Sequence, residues 1–571
     1  MIAHRPAGRV SPAVEAAQRF LSFAGWGAFV FVVLFWRLGE PSFWDPDEAH
    51  YAETTRELLA SGDWLVPSYN EEPFFDKPIL FHALQATAMT VFGATEFAAR
   101  FVPALAALAL VGVTAWLGAT LVSMEVGVVG SLLLSASPGL FGLARYAILD
   151  TLFTLFVFGG AALVTVAALR DRPRLQYTGY VLIALAVLTK GPVALALCGA
   201  AFVLAIAMSA DARRRLLGLR WILGLALVVA ISAPWFVYMW WRFGDAFIEG
   251  YVLNENVSLF AQPRYRGQPG PWFYFQVLAA GLLPWTGLVI GRLTDDVRRW
   301  WSQRDLPDTT EVLLWAWTAA VVGFFTLSQF KLDHYVFPVA PALCLLCARA
   351  WSDVRVRPLH WANAGANVGL HLVGPLLVAV GLGGGYFLIA RLELPTAAIV
   401  VPAAVTLAGA LVTARLNIWA DGFPRVPWIV VAALGVTYVG LIVWVLPSLE
   451  QRKVVPDVAG WVVAHAGATD RVATYRLNRW SAAFRFYVDR HTAMLDAPDE
   501  VKAFFARAEP FYCVMLEPAY QEFVAQGVPL RVAYVREGMW ATSGRVLWRR
   551  RIPPTRFVVV TTARDVAKAA R

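Results

Sequence analysis

Side chains able to do chemistry are concentrated in a few short stretches of this chain. Residues 43–53 place Asp47, Glu48, His50 and Tyr51 within about one turn of each other. Asp45 suits an N-cap, Pro46 the first helical position, and Glu48 completes a capping box, so the spacing predicts a surface helix beginning here. Two adjacent carboxylates could accept a proton from a hydroxyl nucleophile. Acids in a first helical turn also complement the macrodipole, which is their purely structural use. Further on, Asp76 and Lys77 stand between Phe74, Phe75 and Pro78. There Lys77 could neutralise a phosphate, or simply snorkel or pair with Asp76. Arg145, Tyr146 and Asp150 interrupt an apolar stretch, where ionisable groups are costly enough to imply a partner or a function. Lys190 closes a second apolar stretch, and residues Lys331, Asp333, His334 and Tyr335 close a third.

The elements that must position these groups are membrane helices. The 571 residues are 58% hydrophobic and 16% charged, against about a quarter charged in a soluble domain. Apolar runs of about 18–22 residues recur, each long enough to cross a hydrocarbon core. About thirteen spans are expected, centred near residues 30, 108, 133, 160, 183, 200, 231, 282, 320, 342, 377, 405 and 437. The first, from Leu21 to Leu38, is too long for a cleavable signal and ends in Trp36 and Arg37, so it reads as a retained span. With the amino terminus in the cytoplasm, the arginine clusters 170–174, 213–220, 292–304 and 349–357 all become cytoplasmic, as the positive-inside rule requires. The net charge of +9 therefore orients the chain in its membrane, and no nucleic acid partner is implied. The candidate site residues then share the opposite, extracytoplasmic face.

Four cysteines are too few for a disulfide framework. Cys344 and Cys347 form a CxxC in an apolar setting without polar ligands, so neither a metal nor a redox role is read there. After Pro447 the texture becomes that of soluble sequence: β-branched runs at 472–475 and 557–560 alternate with helical stretches such as 499–507. The expected organisation is an all-α polytopic membrane domain over residues 1–446 and a small extracytoplasmic α/β domain over 447–571, which would support the membrane part or touch substrate directly. A membrane face that gathers carboxylates, lysines and aromatics from distant loops suits an amphiphile with an anionic head.

The run DPDEAHYAETTRELLASGDWLVPSYNEEPFFDKP, with ARYAILDT, LTKGP and FKLDHYVFPVAPAL, resembles the bacterial relatives of protein O-mannosyltransferases and aminoarabinose transferases. That resemblance covers nearly the whole chain. It implies a GT-C fold and transfer of a sugar from a polyprenyl-phosphate carrier at the outer face of the bacterial cytoplasmic (inner) membrane, to lipid A, another glycan or a protein. By position it makes Asp47 the first-loop catalytic aspartate, Glu48 its neighbour and Asp150 the second external aspartate. Lys77 and Lys190 become phosphate-facing lysines, and Tyr51 and Tyr335 line the carrier site. His50, Asp76, Arg145 and Lys331 complete the expected substrate-binding set. Aminoarabinose transferases usually carry Arg where His50 stands, and a Glu-His-x-x-Arg-Phe pattern where this chain has residues 255–260. The missing His removes a metal ligand, leaving Asp76 and Glu255 as candidates for a possible divalent metal. Arg264 or Arg266 would replace the missing Arg. In the competing class, a transporter or flippase of a lipid-linked sugar, the same charges would bind a head group without cutting its bond.

Overall fold

A computed structural model describes residues 24–263, 267–303, 307–357, 360–391, 394–418, 426–477, 482–507, 509–540 and 555–561. Among them eight helices are long and apolar enough to cross a membrane, or up to ten when two bent pairs are each taken as one span. The pairs are Met124–Ser135 with Pro138–Ala144, bent by 62°, and Phe273–Gly281 with Thr286–Ser302, bent by 118°. Pro138 opens the second helix of the first pair and Pro284 stands between the helices of the second, and each disfavours helix in the residue before it. The expected spans near residues 30, 183 and 200 are the shorter apolar helices Ala24–Leu34, Leu175–Lys190 and Val193–Met208. Apolar run length thus located these helices, while their lengths depend on where the chain turns.

Small residues set how closely neighbouring helices approach, which is the usual means of packing where lipid is as apolar as leucine. A Cβ at Gly160 would stand 2.9 Å from the Gly179 carbonyl oxygen, and one at Gly127 only 2.3 Å from that of Ala115. The Gly160–Gly179 contact pairs helix Asp150–Leu169 with helix Leu175–Lys190. Because the two run antiparallel, Asp150 and Lys190 come to the same end of the bundle.

The carboxy-terminal region carries a five-stranded mixed sheet. Its strands lie in the order β4-β3-β5-β7-β6, where β3 is Arg471–Tyr475, β4 Thr492–Leu495, β5 Phe511–Leu516, β6 Arg531–Gly538 and β7 Thr555–Thr561. A separate hairpin pairs β1, Ser68–Tyr69, with β2, Glu72–Pro73. The period of two splits β5 cleanly. Phe511, Cys513 and Met515 pack against Val501, Phe504 and Phe523. Tyr512 and Val514 instead join a cluster with Phe43, Ala49, Ala52 and Ala98. One sheet face therefore joins the same apolar cluster as the start of the first-loop helix, with helices Val455–His465 and Ala483–Val488 in that cluster too.

Candidate functional site

The first-loop helix runs Asp47–Ser61, beginning where the sequence pattern places it, but its cap differs from expectation. Pro46 occupies the N-cap position and makes no side-chain cap. Asp45 instead accepts from the amides of Ala482 and Ala483, at 3.1 and 3.0 Å, and so caps the helix Ala483–Val488 of the carboxy-terminal region. Glu48 accepts from the Trp44 amide at 3.1 Å. Tertiary contact has redirected Asp45, because a buried helix end elsewhere leaves orphan amides that need an acceptor.

Three elements meet Asp150 at the end of the bundle. Its carboxylate is ion-paired with Lys190, and His334 Nε2 stands 3.6 Å from its other oxygen. His334 is held in turn by Asp333, its Nδ1 lying 3.3 Å from Oδ1. The Lys190 ammonium sits 4.2 Å from the centroid of the Tyr335 ring and 5.3 Å from that of Phe153, a placement in which the ring faces stabilise the cation. Gly191, at φ 96°, ends the lysine's helix. A side chain there would strike the Tyr251 hydroxyl, so the glycine lets the stretch Ile248–Ser258 close over Lys190. From that stretch Glu255 accepts from Lys77 Nζ at 3.0 Å, and Lys77 also donates to the Asp76 carbonyl at 2.8 Å.

Asp47 belongs to the same electrostatic neighbourhood. Burial raises its carboxyl above the ordinary value, His334 and Lys77 pull it back down, and Asp333 and Asp150 push it up. The helix N-terminus is expected to favour the ionised form; desolvation outweighs it. Tyr51, one turn along, is raised well above the ordinary phenol, chiefly by burial and then by Asp150, Tyr335, Asp47 and Asp76. So Asp47, Tyr51, Asp76, Lys77, Asp150, Lys190, Glu255 and Tyr335 converge at one place.

Other expected members lie elsewhere. Glu48 is fully buried and spans two oxygens: Arg100 Nη2 donates to Oε2 at 2.9 Å, and the Ala147 amide to Oε1 at 3.0 Å. It links the first loop to helix Glu96–Leu121 and to the turn before Asp150. Arg145 donates to the carbonyls of Val33 and Arg37, at 3.4 and 3.2 Å. Those carbonyls lie in the last turn of the first apolar helix, Ala24–Leu34, and in the turn just beyond it, so the guanidinium is spent as a cap. Lys331 is buried and donates to the Ser328 carbonyl of its own loop. His50 packs its ring 4.1 Å from Tyr69 and 4.9 Å from Phe74. Arg264 and Arg266 lie outside the described residues. Among the described residues no group of three or more His, Cys, Asp or Glu side chains could hold a metal ion. With Lys77 already on Glu255, the donor set does not fit a metal.

Sequence reasoning left His334 out of the site, and also missed Arg100 and Arg485. Arg100 and His334 are ionisable residues within or at the end of apolar stretches, whereas Arg485 lies in the carboxy-terminal region. That signal could have found Arg100 and His334; nothing local marks Arg485.

Residues 25–246 match the family model for dolichyl-phosphate-mannose-protein mannosyltransferases. The chain is 31% identical over 377 residues to the undecaprenyl phosphate-alpha-4-amino-4-deoxy-L-arabinose arabinosyl transferase of Edwardsiella ictaluri, covering 63% of this chain and 64% of that one. To the first such transferase of Sodalis glossinidius it is 32% identical over 354 residues, covering 60% and 61%. It thus spans less than two thirds of the length of these curated relatives. The crystal structure of ArnT from Cupriavidus metallidurans bound to undecaprenyl phosphate superposes with a TM-score of 0.71 at 21% identity, over 95% of this chain and 99% of that one. Its apo state gives 0.72 at 20%, over 98% and 99%. The fold expected from the motifs is borne out: this chain has the fold of ArnT over nearly its whole length.

Proposed function

We propose that this protein is a glycosyltransferase that moves a sugar from a polyprenyl-phosphate carrier to a lipid, glycan or protein acceptor. The reaction takes place on the extracytoplasmic face of a bacterial cytoplasmic membrane. Residues 1–446 form the membrane-embedded transferase and residues 447–571 an extracytoplasmic domain that braces its first loop. The observation carrying this reading is the convergence of Asp47 with Lys77, Asp150 and Lys190 at one end of the bundle. A sugar on a lipid phosphate already has a good leaving group, so catalysis needs a base for the acceptor and positive charge for the departing phosphate. Both are present together.

In this mechanism the acceptor oxygen attacks the anomeric carbon while the bond from that carbon to the phosphate oxygen breaks. The acceptor proton passes to the Asp47 carboxylate, which burial makes a stronger base than an exposed aspartate. Lys77 and Lys190 stabilise the released polyprenyl phosphate, and Asp150 orients Lys190 and a sugar or acceptor hydroxyl. Direct displacement inverts the anomeric carbon. Glu48, held by Arg100, positions the Asp47 helix, while Tyr51 and Tyr335 line the carrier's path. His50, Arg145 and Lys331 act at a distance from the reacting atoms.

The names of the Edwardsiella and Sodalis relatives suggest an undecaprenyl-phosphate-linked aminopentose as donor. The departures at His50 and at residues 255–260 are where this chain's donor choice would differ. Purified protein in proteoliposomes with radiolabelled polyprenyl-phosphate sugars tests the whole reading. Transfer with stoichiometric release of free carrier phosphate is expected; movement of intact donor across the bilayer without release would establish the transporter instead.

A further inference from the structure

A cleft of about 460 Å³ opens where the first and last membrane helices meet the carboxy-terminal region. Arg37 and Glu40 line it from just beyond the first apolar helix, Ile442 and Leu446 from the end of the last span, and Asp457 and Arg536 from the carboxy-terminal region. None of these belongs to the Asp47 cluster, so the cleft stands apart from the transfer reading above.

Its charges come in pairs. Arg37 contacts Glu40, Lys453 lies 3.0 Å from Glu450, and Arg536 lies 2.7 Å from Asp457. Three cations and three acids leave the lining with no net charge, so it offers no net attraction to an anionic lipid. Six charges also make it a poor host for an uncharged one. The pairs differ in freedom. Lys453 is locked at the back: it donates to the Ser42 carbonyl at 2.8 Å and lies 4.0 Å from the Trp44 ring centroid. Arg37 and Arg536, with side chains 32% and 33% exposed, form the rim, where exposed ion pairs are weak and exchange partners readily. The volume falls within the range of about 300–1,000 Å³ typical of small-ligand pockets. That admits a head group but not acyl chains, which would run down beside Ile442 and Leu446.

We propose that this cleft holds the head group of a zwitterionic phospholipid carrying one phosphate and one primary ammonium. Arg37 and Arg536 take the phosphate, and Glu40 and Asp457 the ammonium. Each rim group then exchanges its partner for one of like charge, and the cleft remains neutral. A lipid so held would seal the junction between membrane helices and carboxy-terminal region.

The test uses the purified full chain in nanodiscs of equal phosphatidylethanolamine and phosphatidylglycerol, followed by native mass spectrometry. Selective retention of phosphatidylethanolamine is expected. Arg536→Gln should lower that retention about tenfold, the loss of one charge-assisted hydrogen bond. Asp457→Asn removes an ammonium partner and leaves the lining net positive, so it should shift retention toward phosphatidylglycerol. That reversal reads the site even if Arg536→Gln folds poorly. Retention of neither lipid, equal retention of both, preference for phosphatidylglycerol by the unaltered chain, or Asp457→Asn behaving as the unaltered chain would each overturn the proposal.

Discussion

The Arg485 guanidinium lies 3.0 Å from the Glu57 carboxylate, bridging 428 residues of sequence between the carboxy-terminal region and the first-loop helix. Both side chains are buried. Arg485 also reaches Glu53 Oε1 at 3.4 Å and Asn70, while Glu57 accepts the amides of Asn70 and Glu71 at 2.8 and 3.0 Å. One buried cation thus organises the helix that begins with Asp47.

Arg485→Met leaves the buried Glu57 carboxylate with backbone amides alone. Removing one partner of a buried ion pair costs about 3–5 kcal/mol. A lower thermal unfolding midpoint in detergent is expected, together with reduced transfer, because the Asp47 helix loses its brace. An unchanged midpoint would show that the contact contributes little.

Asp47→Asn should abolish transfer while leaving expression and unfolding intact. The active form of the base is the carboxylate, so activity is present above its pKa and lost below it. Because burial raises that pKa, the acid limb of kcat/KM should lie above the ordinary aspartate value. It should fall about tenfold per pH unit there, as for a single ionisation. A pH profile of the reconstituted enzyme measures both.

His334→Asn tests the residue that the sequence left out. His334 lowers the Asp47 carboxyl by charge, so its removal lets that pKa rise and should move the acid limb of kcat/KM to higher pH. A loss of rate with no displacement of the limb would assign His334 to packing around Asp150 instead.

Lys190→Met leaves Asp150, nearly buried at 4% side-chain exposure, facing only His334. The expected loss of stability is again about 3–5 kcal/mol. Adding Asp150→Leu should restore much of the unfolding midpoint, since an apolar pair can replace a buried ion pair. It should not restore transfer. Recovery of transfer in the double variant would exclude both residues from the chemistry.

Much of this architecture is legible in the sequence. Apolar run length located the helices, because a bilayer core demands about 20 apolar residues whatever the fold. The strands at 472–475 and 557–560 and the helix at 499–507 appear as β3, β7 and Pro498–Phe505, since β-branched alternation and a helical charge pattern are local properties. Asp47, Lys77, Asp150 and Lys190 stood out because a charge at a membrane boundary needs a reason.

Partner choice among those charges was not legible. Asp45, Glu48 and Arg145 carry the residue types of a site, yet each is taken up by an amide, a guanidinium or a carbonyl from a distant segment. Residue type and local spacing determined which side chains are worth burying at this membrane face. Which of them face one another, and which are used to hold the loops in place, was decided only by tertiary packing: hydrogen-bond and Coulomb partners depend on distances a few ångströms long that close across hundreds of residues.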